Sequence, residues 1–363
     1  MSEGRGETAV APEFRGLRVV AIGGGTGLST LLKGFKHYTS PPRRSRRSPE
    51  PAVAELSAIV TVSDDGGSSG RLRKELSMLP PGDVRNCIVA LSEDEALLAR
   101  LFQHRFQKGS GLEGHSFGNL FLAALTNITG DFAEAVRLSS EVLVTRGHIF
   151  PATASDVELE ALMADGSRVL GETKITASSG RIVELTLVPP DVSPLPKTLD
   201  AISRADLITI GPGSLFTSLI PNLLVRGIAQ AISASAATKV FVCNLMTQAN
   251  ESLGLTAADH VRALHQHAQT RVFDFALINE RPVSDEMRAK YALEGAAQIA
   301  ADRAPFDALG MRPIFGDYLV EDAGVARHAT DRVARDLIAI ARQAIAGGKA
   351  SVTGPAPQAA STV

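Results

Sequence analysis

The stretch VVAIGGGTGLSTLLKG, Val19 to Gly34, places four glycines in five positions between a short apolar run and a segment of helical spacing. Leu28, Leu31, Leu32 and Phe35 recur on one face of a 3.6-residue period, so the segment reads as strand, glycine turn, helix. A helix N-terminus carries unpaired N–H groups and the positive end of the helix dipole, and glycine lets a backbone approach another group with no Cβ in the way. Gly23, Gly24, Gly25, Thr26 and Gly27 are therefore expected to hold an anionic group, such as a phosphate; a tight turn with no ligand is the alternative. The motif is neither a P-loop, since it lacks the lysine, nor G-x-G-x-x-G, since its sixth position is Leu28.

The same alternation continues along the chain. LRVVAI, LSAIVTV, ADLITI, KVFVCNL and VFDFALI are strand-like runs, each followed by a helical pattern, which predicts an α/β fold: a Rossmann-like, doubly wound, mostly parallel sheet. A small β-rich insert is expected at about 141–190, where EVLVTRGHIFPA, VELEALMADGSRVLGET and RIVELTLV read as short strands and Asp165-Gly166 as a hairpin turn. Residues 17–346 are expected to form one domain, with residues 1–16 and 347–363 as disordered tails. The segment after Gly324 leads into a C-terminal helix whose apolar positions are Val333, Leu337, Ile338, Ile340 and Ala341.

At 44% hydrophobic and 21% charged, with a net charge of -2, the chain can bury a large core and carries no field that would attract nucleic acid. The basic run Arg43 to Arg47, without interleaved aromatics, reads as a solvated loop. No apolar run is long enough to span a bilayer and the first residues lack a signal-type apolar core, so no membrane insertion and a cytoplasmic location are expected. Cys87 and Cys243 stand far apart without metal-ligand spacing and are expected to be buried thiols.

In an open parallel sheet the carboxyl ends of neighbouring strands face one crevice. Asp64 and Asp65, in SDDGGSSGRLR after the second strand, fall where an acidic residue accepts hydrogen bonds from a ribose; an Asx turn or helix cap would suit one of them. Gly211, Gly213 and Ser214 make a second small-residue turn after ADLITI, and two such turns suit a diphosphate. Asn244, Thr247 and Gln248, after the next strand, are placed to read a sugar or base edge. Asp83 is a candidate cap of the helix that carries Arg85 and Asn86. Ser116 is a candidate cap of the helix that presents Asn119, and His115 reads as structural. No nucleophile with a paired base is visible, so no catalytic residue is assigned.

GGGTGLSTLLKG, SDDGGSSGRLR, PPGDVRNCIVALS, GHSFGNLFLAALT, GPGSLFTSLIPNLL and CNLMTQANE, in this order over roughly Leu17 to Ile345, resemble the bacterial YvcK or gluconeogenesis factor family. That family is similar in fold to the CofD transferases, which move a 2-phospholactyl group from a nucleotide diphosphate onto a deazaflavin. The SDDGGSSGRLR and PPGDVRN blocks follow the gluconeogenesis-factor pattern and depart from the transferase one. The resemblance implies a cytoplasmic regulator that binds UDP-sugars such as UDP-N-acetylglucosamine or UDP-glucose and serves cell shape and wall synthesis during gluconeogenic growth. It adds Tyr291 and Arg327 to the ligand site and implies no catalysed reaction and no obligatory cofactor.

Wall-synthesis proteins and a second copy of the chain are candidate partners. The alternative is a metal-dependent transferase in which Asp64 or Asp65 holds a divalent ion on the diphosphate; no metal site is otherwise assigned. Thr330, three residues after Arg327 and where a helix would start, is a candidate phosphorylation site, with a plain helix cap as the alternative.

Overall fold

The protein is described here from a computed structural model, covering residues 15–40, 51–93 and 96–354. Residues 1–14, the basic run Arg43 to Arg47 and residues 355–363 lie outside the described residues. The chain opens with β1 (Leu17–Gly23), α1 (Gly25–Lys36), β2 (Val53–Val60), α2 (Gly67–Leu76), α3 (Gly82–Leu91), α4 (Ala96–Gln103), α5 (Phe117–Thr129), α6 (Phe132–Val142) and β3 (His148–Pro151). An insert follows, made of β4 (Glu158–Met163), β5 (Arg168–Leu170), α7 (Glu172–Ala177) and β6 (Ile182–Val188). Next come α8 (Pro196–Arg204), β7 (Leu207–Ile210), a π-helical turn Leu215–Leu219, α9 (Ile220–Leu224), α10 (Ile228–Ala234), β8 (Thr238–Val242), α11 (Ala257–Ala268) and β9 (Phe275–Asn279). The chain closes with α12 (Asp285–Ala292), α13 (Ala304–Leu309), β10 (Arg312–Gly316), β11 (Leu319–Asp322), β12 (Val325–His328) and α14 (Thr330–Gly347).

Seven parallel strands form the central sheet in the order β10-β9-β8-β7-β1-β2-β3. Their burial on both faces explains why they read as continuous apolar runs and not as alternating ones. The chain starts in the middle, winds outward through β2 and β3, then returns to the other side of β1 as β7 and winds outward again. The reversal between β1 and β7 opens a crevice at their carboxyl ends. Helix α1 buries Leu28, Leu31, Leu32 and Phe35, and α14 buries Val333, Leu337, Ile338, Ile340 and Ala341, as the periodicity required. Cys87 and Cys243 are buried free thiols.

Three boundaries differ from the sequence reading. The insert is smaller: HIFP forms β3 at the edge of the main sheet, Glu141 and Val142 end α6, and only β5-β4-β6 with α7 stand apart as a three-stranded antiparallel sheet. Period-2 patterning finds a strand but not the sheet it joins. Residues 325–328 form β12, hairpin partner of β11, ahead of α14, so Arg327 sits on a strand and not at a helix start. The chain beyond Gly347 stays docked through Gly354. Arg312 donates to the carbonyls of Lys349, Ala350 and Val352, Lys349 pairs with Asp274 at 2.6 Å, and Val352 is fully buried. Composition alone could not show that an arginine on β10 would bind the backbone carbonyls of this segment.

Candidate functional site

The two glycine turns meet at the switch point. A Cβ on Gly27 would stand 2.2 Å from the Pro212 carbonyl oxygen and 3.0 Å from the Gly213 Cα, so residues at both positions must be small for the turns to pack. Gly25 has φ of +60°, a conformation glycine adopts without steric cost. A Cβ on Gly24 would meet Thr61 Cγ2 at 2.6 Å and Asp83 Oδ2 at 2.7 Å. The crowding that excludes side chains from this loop therefore comes first from the protein itself.

In front of these turns lies a cavity of about 700 Å³, lined by Gly24, Gly25, Thr26, Gly27, Asp64, Gly213, Ser214, Asn244, Thr247, Gln248, Tyr291 and Arg327 among others. Four of the sequence candidates do not line it. Gly23 ends β1, and its carbonyl accepts hydrogen bonds from Thr61 N and the Asn222 side chain. Gly211, with φ of +86°, lies against the Val242 carbonyl, where a Cβ would come within 2.6 Å. Asp65 turns outward and accepts hydrogen bonds from the amide and hydroxyl of Thr173, clamping α7 of the insert. Asn119 is buried between Arg85, from which it accepts at 3.0 Å, and Ser68, to which it donates at 3.0 Å.

Several lining side chains brace the site from within. Asn244 accepts from Gly213 N and donates to Gly213 O, pinning the second turn. Gln248 donates to Ser214 Oγ, and Thr247 exchanges hydrogen bonds with Ala297. Tyr291 Oη accepts the amide of Ala326 at 3.3 Å, tying α12 to β12. Ser116 caps α5 as read, and His115 is the buried partner of Ser68 Oγ at 2.9 Å. Thr330 is the first residue of α14, not its cap, and packs on Gly34 away from the cavity lining.

Carboxylates form the part of the site that the sequence reading missed. Asp83 does not cap α3, whose N-cap is Pro81; its carboxylate faces the cavity and accepts the amide of Gly25 at the start of α1. Burial pushes its carboxyl up to about 6. Glu172, carried in by the insert, hydrogen-bonds Asp64, and burial with repulsion from Asp64 and Asp83 pushes its carboxyl up to about 8. Glu251 accepts the amides of Phe216 and Thr217 at 2.7 and 3.3 Å, occupying the N-terminus behind the second turn; burial raises its carboxyl too. Both helix starts thus already carry a carboxylate from elsewhere, which leaves the Thr26 and Gly27 amides of the first turn of α1 to meet an anion. Glu172 lies 108 residues from Asp64, and no local signal could have placed it. Among the described residues no three His, Cys, Asp or Glu side chains are set to ligate one metal ion.

A family model described as 2-phospho-L-lactate transferase CofD matches residues 19–319. The gluconeogenesis factor of Bacillus subtilis is 47% identical over 326 residues, covering 90% of this chain and 98% of that one. The chain belongs to the gluconeogenesis factor family. The family's member from Halalkalibacterium halodurans is 48% identical over 88% of this chain and 95% of its own. A solved structure of a UPF0052 family protein from Bacillus halodurans superposes with a TM-score of 0.83 at 47% identity, covering 89% of this chain and 99% of that one. Among the described residues no single helix is long and apolar enough to cross a membrane.

Proposed function

We propose that this gluconeogenesis factor binds a UDP-sugar in the cavity at the β1–β7 switch point and acts as a cytoplasmic regulator of cell-wall synthesis and cell shape. One observation carries the reading: the two interlocked glycine turns and the Tyr291–Arg327 wall, from distant parts of the chain, line the same cavity. The Thr26 and Gly27 amides suit the diphosphate, Arg327 supplies a fork of charged donors, and Tyr291 offers an aromatic face. Calorimetric titration with UDP-N-acetylglucosamine, UDP-glucose, GDP and NAD tests it. Saturable binding of a UDP-sugar alone is expected, and no binding of either UDP-sugar sinks it.

A second reading, transfer of the group beyond the diphosphate, is favoured by the match to the CofD model and by Asp64, Asp83 and Glu172 beside the turns. Asp64 would be the residue to hold a divalent ion there, and such an ion would supply the charge neutralisation that a transfer from a diphosphate needs. Release of UDP or UMP at enzyme-like rates in the presence of Mg²⁺ would favour it over regulation.

A further inference from the structure

We propose that His328 accepts a hydrogen bond from an N–H on the base edge of the bound nucleotide, which makes the cavity selective for uracil over cytosine. The inference rests on the nucleotide-sugar reading and names the residue that reads the base.

His328 ends β12 and lines the cavity. Its Nε2 stands 3.0 Å from the backbone carbonyl oxygen of Cys243. A carbonyl can only accept, so Nε2 carries the proton. Burial holds the ring neutral by pulling its pKa down to about 4. A neutral imidazole protonated at Nε2 has a bare lone pair at Nδ1. Among the described residues no group hydrogen-bonds Nδ1, and that atom is not sealed inside the protein. The strand that carries the ring is held in place by the pairing of His328 with the buried Leu319 and by the Tyr291 clamp on Ala326, and the ring itself by its bond to Cys243.

An acceptor facing a cavity selects a donor. Phosphate and carboxylate oxygens only accept, so His328 is a poor neighbour for the diphosphate. The wall beside it is apolar, with Leu245, Met246, Tyr291 and Ala326 packed as one small cluster, while the exposed amides lie at the glycine turns. A base is a flat apolar plate with a polar edge and fits such a wall. Uracil presents an imide N–H on that edge; cytosine presents an unprotonated ring nitrogen at the same position, which would set acceptor against acceptor. The other donors in play are the ribose hydroxyls and the 4-amino group of cytosine, which sits on the atom next to that ring position. The UDP-against-CDP comparison therefore reads whether Nδ1 is aligned with the imide position.

The test titrates wild type and His328→Phe with UDP-glucose, CDP-glucose and 2′-deoxy-UDP-glucose. Wild type is expected to bind UDP-glucose about tenfold or more tighter than CDP-glucose, and His328→Phe to lose that preference. On wild type, ¹⁵N spectra are expected to show an unprotonated Nδ1 whose signal moves on adding UDP-glucose, which keeps the question decidable if the variant does not fold. Equal affinity for the two bases, a preference that survives in folded His328→Phe, an Nδ1 signal that ignores UDP-glucose, or a His328-dependent loss confined to the deoxyribose ligand would each overturn the proposal. Failure of wild type to bind any nucleotide sugar would instead remove the underlying reading, and this one with it.

Discussion

The Asp83 carboxylate on α3 caps α1 by accepting the amide of Gly25, so a helix start that reads as an open anion site is held by a side chain from a different helix. Three carboxyl groups, Asp64, Asp83 and Glu172, line the cavity beside the turns proposed to take a diphosphate. Ligand charge and protein charge of the same sign meet there, and protons or a cation must offset them.

Proton linkage gives the first prediction. With its carboxyl raised to about 6, Asp83 is mostly neutral below that pH and ionised above it. A bound diphosphate raises that value further, so binding takes up a proton and affinity falls as pH climbs through 6. In chelator-containing buffer, calorimetry from pH 5.5 to 7.5 should show UDP-sugar affinity weakening by roughly threefold to tenfold in wild type and a flatter profile in Asp83→Asn. Parallel profiles would dismiss Asp83 as the linked group.

Glu172 makes a separate prediction about stability. Its folded value of about 8 lies above the usual carboxylate range of about 4.3. The stability it contributes is complete below the ordinary value and is lost as pH rises toward 8. Glutamine cannot ionise, so Glu172→Gln should melt above wild type at pH 8.5, with the gap closing by pH 5. A gap that stays constant with pH would contradict the raised value of Glu172.

Gly27→Ala forces a methyl to within 2.2 Å of the Pro212 carbonyl oxygen unless the turns separate. The expected cost is about 1–3 kcal/mol of folding stability, with UDP-sugar affinity reduced in the protein that remains folded. Gly130→Ala is the comparison: its φ of +71° carries the left-handed penalty but nothing lies within 4 Å of its Cβ, so affinity should be untouched. Chemical denaturation paired with calorimetry separates the two effects; normal stability and affinity in Gly27→Ala would show that the turns do not need contact.

Asp64 and Asp65 are adjacent but should respond differently. Asp65→Asn weakens the clamp on Thr173 and should loosen the insert, raising hydrogen exchange in α7 with little direct effect on ligand contact. Asp64→Asn removes a charge from the cavity wall and should change affinity. Exchange mass spectrometry and calorimetry on both variants check the division, and identical behaviour would erase it.

Arg327→Ala should weaken UDP-sugar binding by roughly tenfold or more, since a charge-assisted hydrogen bond contributes about 1.5–3 kcal/mol, while the melting profile stays native. Thr330→Glu, on a residue that packs against Gly34 and does not line the cavity, should weaken binding less. Should Thr330→Glu prove the more damaging of the two, the ligand contact assigned to Arg327 is misplaced.

Strand-to-helix alternation, both glycine turns and the amphipathic face of α14 were legible in the sequence because each is encoded locally, by apolar spacing and by residues whose backbone freedom the turn requires. From those signals alone the order of elements and a ligand crevice at the strand ends could be stated. Where a polar side chain points is a different kind of fact. Asp64 faces the cavity and Asp65 the insert, although they are neighbours. Glu172 reaches the site from the helix of the separate insert, Asp83 caps a helix other than its own, and His328 is held in one tautomer by a carbonyl 85 residues away. Each of these depends on a partner that only tertiary packing brings near, because a loop side chain takes its direction from whichever buried group it must satisfy, and no local period records that.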